Sequence, residues 1–121
     1  MTAARAYALL CCLTQVLARA PTGSGKTAAY VLPTLHKILK MKTRGQDSSS
    51  GIEAVVLVPT VELCTQVTKV FREVARYCTG ESSIKVVGLA ADSSIETQQT
   101  QLCEVWNVAV RCTLTALPLA G

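Results

Sequence analysis

The chain has 121 residues and a mass of 12.8 kDa, which fits a single domain or less. Its residues are 50% hydrophobic and 17% charged, and this composition excludes a disordered, collagen-like or coiled-coil chain. The net charge of +4 lies in the first half: residues 1–60 carry seven basic and two acidic side chains (+5), and residues 61–121 carry five and six (−1). This balance suits a phosphate-bearing partner without identifying one. The densest basic stretch, residues 37–44, is interpreted as the solvated end of a helix.

The N-terminal region allows two interpretations. Arg5 precedes an apolar run over residues 6–13, and Ala18-Arg19-Ala20 has the small–any–small pattern of a signal-peptide cleavage site. That run is far shorter than the about 20 residues that cross a bilayer. Cleavage after Ala20 would remove the strand expected at residues 15–18, in front of a glycine-rich turn. Secretion therefore stays open as the alternative to a domain that keeps this segment.

The chain has six cysteines, which pair in a secreted scaffold or stay reduced inside a cell. None belongs to a C-x-x-C pair or to a Cys/His cluster with zinc-ligand spacing. Cys64 and Cys78 fall within one predicted helix, where a rise of about 1.5 Å per residue separates them by about 21 Å, too far for a disulfide. We expect free thiols that pack as small apolar side chains, with a small secreted cysteine-containing protein as the alternative.

Strand and helix signals alternate along the first half of the chain. Residues 15–18 (QVLA) form a short apolar run, predicted as a strand that leads into the glycine-rich turn. From residue 28 to 39 the apolar side chains recur at helical spacing, and Pro33 is expected to kink that helix. Residues 41–51 are polar and predict a surface loop, whereas the uninterrupted run at residues 54–58 (AVVLV) predicts a strand buried on both faces.

The second half continues the alternation. Thr60 is a predicted N-cap with Glu62 in the first turn, and apolar residues at helical spacing extend that helix to Cys78. Two more strands are predicted at residues 84–87 and 107–110, and between them Ser93 or Ser94 caps a helix that reaches about Cys103. Four strands alternating with three helices predict an α/β fold, with a parallel sheet, flanking helices and right-handed crossovers.

The segment with the most specific chemistry is the glycine-rich turn. It fits the phosphate-loop pattern G-x-x-x-x-G-K-[ST], except that alanine replaces the first glycine. Its residues are Ala20, Pro21, Thr22, Gly23, Ser24, Gly25, Lys26 and Thr27. A plain glycine turn between a strand and a helix is the alternative interpretation.

Each part of this loop has a physical role in holding an anion. Gly23 and Gly25 can adopt backbone angles that other residues resist, so that successive N–H groups can face phosphate oxygens. The helix that follows would present its positive N-terminus to the same site. Lys26 would add a cation near the β- and γ-phosphates of a nucleotide, and the Thr27 hydroxyl could ligate Mg²⁺.

These residues resemble a known family. LARAPTGSGKTAAYVLPTLHKIL, residues 17–39, looks like the first motif and following helix of DEAD-box RNA helicases, and LVPTVELCTQV, residues 57–67, resembles that family's PTRELAxQ motif. The resemblance runs from about residue 16 to 102, and KVVGLAADSSIETQQTQL, residues 85–102, is most similar to the branch that works in ribosome assembly. It implies an incomplete P-loop NTPase, RecA-like domain that binds ATP and Mg²⁺ through Ala20 to Thr27.

The second motif of the family touches the RNA backbone. Carried over, Pro59, Thr60 and Glu62 would lie at or support the RNA path, with a strand-to-helix turn and its cap as the alternative. Val61 departs from the pattern, because the family commonly has arginine or lysine there. The loss of a cation at a phosphate contact weakens binding without changing sequence preference.

Other family features are not found in the sequence. Its eight acidic residues are all isolated, so no Asp-Glu-Ala-Asp segment is present, and a second RecA-like domain, normally in the same chain, is missing. The resemblance therefore implies a partial helicase domain at residues 16–111, a divergent segment at 1–15 and an unstructured tail at 112–121. We expect weak ATP binding at best, weak or lost RNA binding, and no useful hydrolysis. The chain would then be a truncated or mis-spliced product, or the product of a gene model with wrong ends. A non-catalytic nucleotide- or partner-binding fragment is the alternative, and the resemblance implies the nucleus or nucleolus, with the cytoplasm possible.

Overall fold

In a computed structural model, the structure describes residues 15–45, 51–78, 83–90, 92–104 and 106–113. The apolar run at residues 6–13 and the predicted tail beyond residue 113 lie outside these ranges. In chain order the elements are α1 (Lys26–Thr43), β1 (Ala54–Val58), α2 (Val61–Ala75), β2 (Val86–Leu89), α3 (Ile95–Leu102) and β3 (Val108–Cys112).

The three described strands form one parallel sheet in the order β1-β3-β2. Val56 in β1 lies opposite Val110 in β3, and Gly88 in β2 lies opposite the same residue from the other side. The late strand β3 therefore inserts between the two earlier ones, as right-handed crossovers through helices allow. The α/β prediction, with a parallel sheet and flanking helices, is confirmed.

The main core lies between one face of the sheet and helices α1 and α2. Phe71 and Val31 are fully buried there, and the rings of Tyr30 and Phe71 lie 6.3 Å apart. The strands contribute β-branched side chains such as Val108 and Val110, both fully buried. Both helices thus bury an apolar stripe against the same sheet face, and this packing fixes where each helix begins relative to the strands.

The opposite face of the sheet is covered only in part by the described residues. Val87, Leu89 and Ala109 form a small buried cluster there, packed against Trp106. On the same face of β1, Val55 and Leu57 keep 61% and 63% of their surface exposed. The bounds predicted for β1 are confirmed, whereas its predicted burial on both faces is wrong, because no described element covers these two side chains.

Other predicted elements differ from the structure at their ends. The strand predicted at residues 15–18 is wrong: this segment has no regular structure, pairs with no described strand, and leaves Leu17 fully exposed. Strands β2 and β3 begin later than predicted, and β3 extends through Cys112, which the sequence analysis assigned to the tail. Helix α1 continues through the buried Pro33.

The cysteine geometry also differs in one respect. Helix α2 ends at Ala75, so Cys78 lies beyond it and not inside it. Among the described residues, Cys64, Cys78, Cys103 and Cys112 are free thiols, with the first and last buried. None of the described helices has the length and hydropathy needed to span a bilayer.

Candidate phosphate-binding site

The glycine-rich segment folds into a tight loop that leads directly into α1. Gly23 and Gly25 have φ angles of +78° and +82°, in the left-handed region that side chains with a Cβ rarely adopt. Gly25 is the N-cap residue of α1, and its carbonyl accepts from Ala29 N at 3.0 Å. The two glycines therefore occupy the positions where the loop geometry requires them.

Two side-chain hydrogen bonds close the loop. Ser24 Oγ donates to the carbonyl of Pro21 at 2.7 Å, and Lys26 Nζ donates to the carbonyl of Ala20 at the start of the loop. The side chain of Lys26 thus crosses the loop, and its ammonium group lies at the carbonyl with which the loop begins. Because Lys26 is exposed, its flexible side chain can reach an anion that enters the loop.

The first turn of α1 has the features of an anion site. Its N-cap is a glycine with no side chain to accept from the first amides, and the first turn contains no acidic residue. The N-terminal N–H groups of a helix and its dipole both favour negative charge. Pro21, Thr22 and Gly23 are exposed, and a Cβ placed on Gly23 would meet nothing within 4 Å. The loop is therefore open to solvent, with room for a ligand beside its backbone.

The far end of α1 shows on which edge of the sheet this loop lies. Near the end of the helix, Lys42 Nζ donates to the carbonyl of Ser83 and lies 3.4 Å from Asn107 Oδ1. Ser83 and Asn107 both precede their strands, so α1 ends at the amino edge of the sheet. With 18 residues it is about 27 Å long, longer than the strands it crosses. Its N-terminus and the loop therefore lie at the carboxyl edge, where parallel α/β sheets bind ligands.

The second predicted group of residues lies at the same edge. Pro59 and Thr60 follow β1 directly and are exposed, and Glu62 is exposed in the first turn of α2. Thr60 Oγ1 accepts from Leu63 N at 3.2 Å, which confirms the predicted N-cap. The structure thus brings the starts of two neighbouring helices to one edge of the sheet, each with its proposed ligand-binding residues.

The ends of the strands are tied together beside Pro59. Thr113 donates from its backbone N–H at 2.8 Å and from its hydroxyl at 3.1 Å to the carbonyl of Val58. This contact joins the end of β3 to the end of β1 and holds the Pro59 turn against the segment after β3.

Sequence analysis missed a set of cations along α2 and at the residue just after its end. Lys69, Arg72 and Arg76 are exposed and line a groove between α2 and β2. Their spacing of three and four residues places them on one helix face, a signal that the sequence contained.

The loop residue predicted to ligate a metal ion is Thr27, through its hydroxyl. Thr27 is half-buried in the first turn of α1, and the described residues contain no group of three His, Cys, Asp or Glu side chains that could hold a metal. This donor set does not fit a resident metal ion held by protein alone. It fits an ion that arrives with the phosphates of a nucleotide and takes one protein ligand.

A parallel α/β sheet with a glycine-rich loop at its carboxyl edge defines a P-loop protein of the RecA-like class. A family model described as DEAD/DEAH box helicase matches residues 2–115. Because this match covers nearly the whole chain, the chain belongs to that family. The match includes residues 2–15, which the sequence analysis left outside the resemblance.

Curated relatives agree with this assignment. The chain is 43% identical over 95 residues to a probable ATP-dependent RNA helicase, ddx56, of Dictyostelium discoideum, covering 78% of this chain and 13% of the relative. It is 46% identical over 87 residues to the ATP-dependent RNA helicase DBP9 of Pyricularia oryzae, covering 72% of this chain and 13% of that protein. The chain therefore spans about an eighth of the length of these relatives.

Solved structures show the same fold. The yeast DEAD-box splicing factor Prp28 superposes with a TM-score of 0.62 at 29% identity, over 77% of this chain and 22% of that one. A hypothetical ATP-dependent RNA helicase from Sulfolobus tokodaii gives a TM-score of 0.68 at 26% identity, over 91% of this chain and 28% of that one. The family assignment does not favour either alternative, the non-catalytic nucleotide- or partner-binding fragment or the small secreted cysteine-containing protein.

Proposed function

We propose that residues 20–27 hold the triphosphate of ATP, as part of the ATP-binding domain of an RNA helicase. The observation that carries this proposal is the pair of left-handed glycines, Gly23 and Gly25, at the uncapped start of α1. The loop amides would surround the phosphates, and Lys26 would exchange its bond to the Ala20 carbonyl for a phosphate oxygen.

The same proposal assigns Mg²⁺ to Thr27. The hydroxyl of Thr27 would ligate the ion, whose charge offsets that of the β- and γ-phosphates. Because the sequence contains no Asp-Glu-Ala-Asp segment, the proposal for this chain by itself is nucleotide binding without hydrolysis at a useful rate. Hydrolysis and RNA remodelling are proposed for a full-length helicase. The chain matches about an eighth of the length of its helicase relatives.

The RNA part of the proposal rests on Pro59, Thr60 and Glu62. Their exposure at the carboxyl edge, next to the start of α2, leaves this edge open to an RNA backbone, although the Thr60 hydroxyl caps Leu63 N and Glu62 adds a negative charge to the first turn. The similarity of residues 85–102 to the ribosome-assembly branch leads us to propose a role in ribosome biogenesis, in the nucleus or nucleolus.

Nucleotide binding is tested with a fluorescent ATP analogue and Mg²⁺. Lys26→Ala should weaken binding by about tenfold or more, since a charged phosphate contact contributes about 1.5–3 kcal/mol. Lys37→Ala, which removes an exposed cation elsewhere on α1, is the matched control and should change little. Thr27→Ala should reduce the Mg²⁺ dependence of binding, and Thr27→Ser should restore it. Equal effects of the two lysine variants would refute the assignment of the loop.

RNA binding is tested by adding the cation that the family commonly carries. Val61→Arg should strengthen binding of single-stranded RNA and make the slope of log K against log salt steeper by about 0.7, the value for one more phosphate contact. Val61→Gln controls for the longer side chain without charge. If neither affinity nor slope changes with Val61→Arg, the start of α2 does not face RNA.

A further inference from the structure

A groove separate from the phosphate loop runs between α2 and β2. Its volume is about 530 Å³. Gly88 and Ala90 of the β2 segment line one side, and Thr68, nearly buried, lies against Gly88. The groove therefore begins near the carboxyl edge of the sheet and follows the axis of α2 away from it.

The helical wall of this groove is positively charged. Lys69, Arg72 and Arg76 line it, and Glu73 is the one acidic residue among its lining side chains. The rise from Lys69 to Arg76 is about 10 Å, so the three cations form a row along the groove. Charges arranged in a row suit an extended anion with repeated charges better than a single small ion.

The middle cation is held in place by the sheet. Arg72 Nε donates to the carbonyl of Val86 at 3.2 Å, while the side chain stays exposed. This bond directs the guanidinium toward β2 and leaves its other N–H groups for a ligand. Lys69 and Arg76 are exposed on either side and complete the row.

We propose that this groove binds successive backbone phosphates of single-stranded RNA. The inference rests on the proposed RNA-binding function and deepens it, because it places a second contact beyond the start of α2. Thr60 and Lys69 differ by about 13 Å along the helix axis, so one strand can touch both places without sharing a contact. The groove reaches the carboxyl edge of the sheet at Ala90, and Pro59 and Thr60 lie on the same edge after β1. This shared edge favours RNA over an unrelated acidic protein.

Phosphate contacts carry no sequence information, so the groove adds affinity without base preference. Binding of oligouridylate and oligoadenylate should therefore respond equally to changes in the row of cations.

The test is a salt titration of a labelled oligouridylate with the full chain. Replacing two cations, Lys69→Ala with Arg76→Ala, should weaken binding and reduce the slope of log K against log salt by about 1.4, the value for two contacts to a single strand. Arg72 is left intact because its bond to Val86 stabilises the fold. The matched control, Lys37→Ala with Lys40→Ala, removes the same charge from α1 and should leave the slope unchanged. Circular dichroism verifies that both variants fold.

A gain of function complements this loss. Glu73→Gln removes the repelling carboxylate from the groove and should tighten RNA binding, an effect that a purely structural role of Glu73 would not produce. An unchanged slope in the Lys69/Arg76 variant, or an equal drop in the control pair, would overturn the proposal.

The remaining outcomes separate this inference from the proposed function. If Val61→Arg strengthens RNA binding while the Lys69/Arg76 variant keeps the original slope, only the groove is refuted. If the chain binds the ATP analogue but no RNA even at low salt, both RNA contacts fail and the nucleotide site stands. If oligoglutamate of equal charge displaces RNA as well as RNA itself does, the groove belongs to an acidic protein partner.

Discussion

The contact between Gly88 and Thr68 provides a sharp test of the packing between α2 and β2. A Cβ added at Gly88 would lie 2.7 Å from Thr68 Oγ1, closer than packed atoms come, and 3.1 Å from Thr68 Cγ2, which is a tight contact. Thr68 is buried at 5% exposure, so its side chain has to give up packed contacts to make room for the new methyl group. Gly88→Ala should therefore overpack this interface and lower the free energy of unfolding by about 1–3 kcal/mol.

Removing the opposing atoms should relieve the strain. In Thr68→Ala only the Cβ remains, at 3.4 Å from the new methyl group, which is an ordinary contact distance. The double variant Gly88→Ala/Thr68→Ala should then be more stable than the sum of the single effects predicts. The coupling free energy should equal most of the about 1–3 kcal/mol lost on overpacking.

Urea unfolding followed by the fluorescence of the single tryptophan, Trp106, measures these values, since this side chain packs against the β2 and β3 cluster. Gly51→Ala is the matched control, because a Cβ there meets nothing within 4 Å. The packing argument is refuted if Gly88→Ala is as stable as the control, or if the two single effects simply add in the double variant.

Three further predictions concern stability. Asn107→Ala should lower the free energy of unfolding by about 1–3 kcal/mol, because Asn107 Oδ1 accepts a hydrogen bond from Lys85 N at 2.9 Å. Asn107→Asp keeps that acceptor, so urea unfolding should show that it recovers most of this loss. Thr60→Ala removes the N-cap and should lower the free energy of unfolding by about 1 kcal/mol, whereas Thr60→Ser keeps a capping hydroxyl and should lower it little. Equal losses in the two variants would contradict the role of Thr60 as a cap. Burial, opposed in part by hydrogen bonds, raises the pKa of the Cys64 thiol. As pH rises, the thiol therefore ionises first in the unfolded chain, which lowers the free energy of unfolding. The contribution of Cys64 to stability is fully present below about pH 8.5 and is lost as pH rises through the pKa of the folded state. In Cys64→Val the free energy of unfolding, measured with urea at a series of pH values, should fall less at alkaline pH. An unchanged fall would contradict the role assigned to the Cys64 thiol.

Local chemistry made several features predictable. Two glycines followed by Lys26 predicted the loop because few other residues adopt its left-handed backbone angles. The Thr60 and Ser94 caps were predictable because a hydroxyl before a helix pairs with an amide two or three residues later. The bounds of β1 followed from an uninterrupted run of five apolar residues, three of them valines with high strand propensity.

Features that depend on distant parts of the chain were not predictable. An apolar run becomes a strand only where a neighbouring strand supplies hydrogen bonds, and residues 15–18 have none among the described strands. The apolar run of β1 did not reveal that Val55 and Leu57 face away from α1 and α2. The groove depends on the packing of α2 against β2, so periodicity could place Lys69 and Arg76 on one face without showing what that face borders.

The exposed apolar side chains of β1 lead to a last prediction, on association. Within the described sheet β1 is an edge strand, and Val55 and Leu57 project from it at 61% and 63% exposure. An edge strand with exposed apolar side chains offers both unpaired backbone groups and an apolar surface to a second molecule. The chain should therefore associate as its concentration rises.

A charge on the edge strand should oppose this association. Leu57→Lys places a cation on the apolar face of β1 and should shift the chain toward monomer in size-exclusion chromatography with light scattering. Ile95→Lys is the matched control, since Ile95 is 75% exposed on α3 and lies outside the edge strand. If both variants dissociate the assembly alike, added net charge is the cause. If the unaltered chain stays monomeric at high concentration, the exposed edge of β1 does not drive association at all.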